Sequence, residues 1–211
     1  IAALNGFNTK TNGTIGKRQR FFRMIGLLPR MGNAMYLQWG HSTPHWEGEQ
    51  FDGIRDCDVL IGFNMAFRTS VLKKFRFDTF YEQYPTYVLY DDQDICLRMK
   101  KAGFRIVQAG NAKLVHNISP SGRPPGDHYG FQTTFNAYRN WKTHIKNPNL
   151  IVKIKFWAFE VLNIIFLSIS NVINWRKFDQ VKGRIEGIVA IAYGHKDYLG
   201  WEKTKTLKKN D

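Results

Sequence analysis

Apolar positions follow two regimes along the chain, short runs in the first 120 residues and long helical stripes beyond them. From Phe131 the apolar residues fall at Phe135, Tyr138, Trp141 and Ile145, spaced four, three, three and four. That is the stripe of an amphipathic helix, and Asn147-Pro148 breaks it. Leu150 to Trp175 is the most apolar segment, with the length of a bilayer span. Yet Lys153, Glu160, Asn163, Ser170, Asn171 and Asn174 fall within roughly a quarter of its circumference at ~100° per residue. A polar stripe that narrow predicts an interfacial or packed helix, its polar residues toward water, rather than a span. Trp157 and Trp175 near its ends suit an interface. Lys182 to Tyr198 predicts a third helix, with Ile185, Ile188, Val189 and Ala192 inward and Gly183, Gly187 and Gly194 permitting close approach. The closing WEKTKTLKKND reads as a basic, disordered tail.

The earlier runs are short and broken by turn residues. Residues 1 to 6 read as a strand end, Met35 to Trp39 as a short strand, and Val59 to Ile61 as a buried strand turning at Gly62. Thr69 is placed to cap a helix through Phe75. Phe77 to Tyr87 is an aromatic loop whose Tyr81, Tyr84 and Tyr87 offer either a platform for a sugar ring or ordinary packing. Phe104 to Gln108 and Lys113 to His116 read as two strands joined at Ala109-Gly110-Asn111. Ser119 to Gly126 is a loop, because Pro120, Pro124 and Pro125 lack donors.

Composition narrows the partners. Hydrophobic residues make up 43% of the 211 positions and aromatics 15%, which marks a folded domain. Lys and Arg number 31 against 17 Asp and Glu, a formal net charge of +14 that suits an anionic partner. Lys10 to Arg30 concentrates Lys17, Arg18, Arg20, Arg23 and Arg30 among Phe21, Phe22, Met24 and Ile25. This is either a phosphate or membrane contact or a solvated basic face. Two cysteines, Cys57 and Cys96, fit a reduced, cytoplasmic setting. His41, His45, Glu47 and Glu49 lie close together, but their spacing fits no standard zinc pattern.

One stretch carries chemistry. In YDDQDICLRMKKAG, Asp91, Asp92 and Asp94 crowd the first turn of a helix in which Ile95, Met99 and Ala102 recur and Gly103 is the stop. Carboxylates suit a helix N-terminus, but three exceed what a cap needs. Like charges this close raise one another's pKa, which poises a carboxylate as a base.

Residues around this cluster occur in a telling order: Gly62, Asn64 to Arg68, Phe77-Asp78, Asp91 to Ile95, Arg98 with Gly103, and His116. From roughly residue 55 to 125 the chain resembles the second half of the catalytic domain of family 2 glycosyltransferases, the inverting, nucleotide-sugar-dependent enzymes of GT-A fold. It departs in having Asp91 where that family has Glu. The resemblance implies an α/β fold, the acceptor-side half of a GT-A domain over residues 1–125, and the helical stripes beyond it predict a helical, membrane-associated extension over 126–200 with the tail 201–211 after it. It implies a nucleotide-sugar donor and a glycan or lipid-linked acceptor. Asp92 would be the general base, helped by Asp91 and Asp94, with Gly62, Asn64, Arg68, Arg98 and Arg123 binding substrate. His116 would complete a divalent-metal site for Mg2+ or Mn2+ or contact the diphosphate; at a strand end it is as readily structural.

The family's first half, with its nucleotide-binding strands and metal-binding Asp-x-Asp, is not found. Asp56-Cys57-Asp58 precedes a hydrophobic strand instead of following one, and Asp92-Gln93-Asp94 opens a helix. The expectation is a chain lacking on the order of one hundred residues of the usual domain, its main metal ligands upstream. The processive synthases' Gln-x-x-Arg-Trp is also not found, which argues for one sugar added per turn. The location expected is the cytoplasmic face of an anionic membrane. A different class of function, a basic membrane- or nucleic-acid-binding module without chemistry, also accommodates the charge and the apolar helix. It leaves the acidic cluster unexplained, and nucleic acid is the less favoured partner.

Overall fold

The structure is a computed structural model that describes residues 1–8, 16–29, 34–43, 51–84, 87–117, 124–174 and 178–210. It is an α/β protein with a small mixed sheet and a helical majority. Four strands, β1 (Ala3–Asn8), β2 (Ile54–Cys57), β3 (Ala66–Phe67) and β4 (Ile106–Leu114), lie in the order β2-β4-β1-β3. β1 and β4 run parallel at the centre, and β2 and β3 add antiparallel edges.

The sequence reads as two strands joined at Ala109-Gly110-Asn111; β4 runs through those residues in one direction, with its pairing to β1 interrupted there. Gly110 serves a close approach instead of a turn. Its N–H donates to Gly53 O at 2.9 Å, and a Cβ there would lie 1.9 Å from Phe51 O. Pairing with β1 jumps from Gly6–Ala109 to Phe7–Lys113, so residues 110–112 bulge out of β4 where the sequence placed a turn. Val59 and Leu60 are buried as expected but follow β2 in extended chain, outside any strand.

The helix α1 (Lys17–Met24) precedes the second strand, and α2 (Thr69–Leu72) follows the third. Thr69 is the first helical residue, and Arg68 takes the cap position. A 3-10 helix, Thr79–Gln83, lies within the aromatic loop. The acidic stretch forms α3 (Asp91–Lys101). Gly103, at φ 86°, ends it as predicted, with N–H groups of residues 102 to 104 satisfying its last carbonyls. Ile95, Cys96 and Met99 of α3 pack on Ala3 and Ile106 of the sheet and on Val59 and Leu60, which forms the first core.

Four more helices complete the chain: α4 (Gly126–His144), α5 (Leu150–Ile173), α6 (Asp179–Ala192) and α7 (Tyr198–Asn210). In α4 the predicted stripe buries Phe131, Phe135 and Trp141. Asn147, at φ 51°, turns the chain, and the Asn149 side chain accepts the Val152 N–H to cap α5. α6 presents Val181, Gly183, Arg184, Gly187 and Ala190 inward, a face rotated from the predicted one, and leaves Ile185 exposed. The reason is steric, since Gly183 and Gly187 let α6 meet α4 backbone to backbone. Gly194, at φ 75°, ends that helix, and a Cβ there would meet no atom of the described residues within 4 Å. The expected tail is helical in α7, which buries Tyr198 and Trp201 against Tyr84, Phe131 and Phe135.

α5 departs most from expectation. Glu160, Asn163 and Asn171 of its polar stripe are buried against the protein, and the aliphatic face points outward. Polar groups turn inward because partners await them there. Glu160 accepts bonds from Thr134 of α4 and Arg184 of α6. Trp175 lies outside the described residues. Among the described residues no helix is long and apolar enough to cross a membrane.

Candidate functional site

The acidic residues of α3 go to different places. Asp94, 1% exposed, is hydrogen-bonded to Arg98 Nε at 2.8 Å and to His144 Nε2 at 2.9 Å. It bridges α3 to α4 within the interior and is turned away from solvent. Arg98 also donates to Arg76 O at 2.7 Å, so two of its donors serve the fold. Asp92, one residue into the helix, faces a cleft of about 310 Å³. Ser42, Thr43, Tyr87, Tyr90 and Tyr129 also line this cleft. Asp91 is half-buried beside it.

The Asp92 carboxylate is held at both oxygens. Oδ2 accepts the Gly62 N–H and Oδ1 the Gln93 N–H, each at 2.8 Å. Burial pushes its pKa up to about 7, and the Asp91 charge adds to the rise against those N–H bonds. Asp91 is also raised, chiefly by burial. The helix therefore carries at its start a carboxylate that titrates near neutrality on the wall of a cleft lined by aliphatic and hydroxyl-bearing side chains.

Gly62 and Asp92, 30 residues apart, are thus joined directly. A Cβ on Gly62 would sit 3.5 Å from Asp92 Oδ2, an ordinary contact, so the backbone N–H is what the site uses. His116 stacks on Phe63, next to Gly62, with ring centroids 4.0 Å apart and planes 4° apart. Asn64 ends the same turn, and its buried Nδ2 has no hydrogen-bond partner among the described residues. Arg68 lies apart, its Nε donating to Ile1 O at 3.2 Å across the sheet edge. Arg123 lies outside the described residues, as do His45, Glu47 and Glu49. His41 is buried and stacks on Phe159 at 3.8 Å, which makes it a core residue. Of the aromatic trio, Tyr81 and Tyr84 are core residues and Tyr87 alone reaches the cleft. Cys57 and Cys96 are free, buried thiols.

Tyr90, Tyr129, Ser42 and Thr43 are cleft residues that the sequence did not reveal. Tyr90 is the most informative. It occupies the N-cap of α3 at φ 80°, a left-handed conformation that a bulky residue adopts only when the surroundings impose it. Adjacency to the acidic run was its only sequence signal. Strain immediately before Asp91 and Asp92 coincides with the cleft wall.

Among the described residues no three His, Cys, Asp or Glu side chains converge so as to hold a metal ion. Asp92 has both oxygens engaged by N–H groups, and His116 faces an aromatic ring. These residues do not by themselves fit the divalent cation expected with a diphosphate leaving group. No family model, curated protein or solved structure matches the chain.

Proposed function

We propose that the chain is the acceptor-side part of an inverting glycosyltransferase of GT-A type that moves a sugar from a nucleotide-sugar donor to a glycan or lipid-linked acceptor. The observation that carries this reading is Asp92, a cleft carboxylate whose pKa of about 7 suits a general base. An acceptor hydroxyl in the cleft gives its proton to Asp92 as its oxygen bonds to the anomeric carbon. The bond from that carbon to the diphosphate breaks on the opposite face, and the nucleotide diphosphate leaves with the electron pair. Ser42 and the tyrosines offer hydroxyls to the sugar, and Tyr87 offers an aromatic face. Asp91 sustains the raised pKa of Asp92. In this reading the nucleotide-binding strands and the metal's Asp-x-Asp belong to sequence outside these residues, and the enzyme works at the cytoplasmic face of a membrane.

Nucleotide diphosphate release from a panel of nucleotide sugars, measured on the full protein that carries these residues, tests the proposal. Asp92→Asn should lower turnover by ~10² to 10⁴ while donor binding persists. Wild-type-like turnover in that variant, or no release with any donor, overturns it.

A further inference from the structure

We propose that the outward face of α5, with the lysine cleft at its N-terminal end, docks on an anionic lipid bilayer. Leu150, Ile151, Ile154, Val161, Ile165, Ile169, Val172 and Ile173 are 45–71% exposed along this single helix. At ~100° per residue they occupy an arc of roughly 140°. The opposite side of the helix holds the buried Phe156, Glu160, Asn163 and Asn171. An exposed aliphatic face of this length, flanked by the Ala158 and Leu162 contacts to α1, marks a protein or membrane contact.

The charge around the face selects the occupant. Glu160 is the only acid between residues 150 and 173, and it is buried. Beside the N-terminal end of the arc, a cleft of about 580 Å³ is lined by Lys142, Lys146 and Lys153 together with Tyr138, Trp141 and Trp157, with no carboxylate. On the other flank α1 packs its Phe21 and Phe22 on Phe166 and Phe159, and the same helix carries the exposed Lys17 and Arg20 away from that contact. Met24 and Ile25 at the end of α1 are exposed, and the next carbonyl, Gly26 O, accepts from Lys155 Nζ at 3.4 Å. An aliphatic strip between two cationic borders matches acyl chains beneath lipid phosphates. A second copy would set like charges against each other on both borders. Lys142, Lys146 and Lys153 would hold lipid phosphates while Leu150, Ile154 and Val161 enter the acyl layer. This surface lies apart from Asp92, and the inference stands or falls independently of glycosyl transfer.

The experiment is flotation of the full chain with vesicles of phosphatidylcholine alone or with about one-third phosphatidylserine. Binding is expected only to the anionic vesicles and should weaken in high salt. Lys142→Gln, Lys146→Gln and Lys153→Gln together should weaken it about a hundredfold, from roughly fivefold per lysine. Ile154→Glu with Ile165→Glu should abolish it without changing far-UV circular dichroism, since both sites face solvent. No binding to anionic vesicles, binding indifferent to the lysines, or a wild-type dimer that the two glutamates dissociate would overturn the proposal.

Discussion

Glu160 Oε2 lies 3.0 Å from Nη1 of Arg184, and the two residues are 1% and 7% exposed. Thr134 Oγ1 donates to the same oxygen at 2.6 Å, so α4, α5 and α6 meet at one carboxylate. Removing one partner of such a pair leaves the other charge buried and alone. Glu160→Leu or Arg184→Met should each destabilise by about 3–5 kcal/mol, while the double variant should be near neutral. Urea denaturation of the four proteins measures this directly. Two single variants each costing under ~1 kcal/mol would show that the pair does not hold α5.

The contact between α4 and α6 is set by glycine. A Cβ on Gly183 would lie 1.8 Å from Asp127 O, and one on Gly130 2.2 Å from Gln180 O, both backbone atoms that side-chain rotation cannot move. Gly187 is looser, at 3.2 Å from Phe131 O. Gly183→Ala should therefore cost about 3 kcal/mol or more and Gly187→Ala about 1. Thermal unfolding should rank them in that order, and equal effects would place the close approach elsewhere.

What the chain revealed in advance follows from how local each signal is. Helix α3, its acidic start and its stop at Gly103 were legible because capping is written within a few residues. The stripe of α4 was legible for the same reason. The orientation of α5 was not, since Glu160 turns inward only because Thr134 and Arg184, 26 and 24 residues away, receive it. Gly110 marked the interruption in β4 but not its form, because a turn and a close backbone approach call for the same residue. In the site, Gly62 and Asp92 each stood out in the sequence, but the hydrogen bond that joins them across 30 residues did not. The division of Asp92 from Asp94 depended on His144, far along the chain.

His41 should make the fold acid-sensitive. Burial and then the Arg184 charge lower its pKa to about 3 from 6.5. It is neutral in the folded protein, so its 3.6 Å approach to Glu160 is no ion pair at pH 7. A depressed pKa gives stability that is present above pH 6.5 and lost as pH falls toward 3. By pH 5 the loss is ~2 kcal/mol. His41→Phe, which keeps the stack on Phe156 and Phe159, should flatten the fall in melting temperature between pH 7 and 5. An unchanged slope would assign the acid sensitivity to other groups.

Asp92 carries the opposite sign. Its pKa is raised to about 7, by burial first and the Asp91 charge second. Its contribution to stability is therefore present below about pH 4 and lost as pH rises through 7. As a base it must be ionised, so kcat/KM for the proposed transfer should fall tenfold per unit below about pH 7. Asp91→Asn removes the repelling charge and should move that acid limb to lower pH while turnover persists. Asp94→Asn breaks the bridge to Arg98 and His144 and should lower the melting temperature but leave the limb in place. The discriminating measurement is the pH–rate profile of both variants beside wild type. If Asp94→Asn shifts the limb and Asp91→Asn does not, the base is not the carboxylate that Gly62 holds.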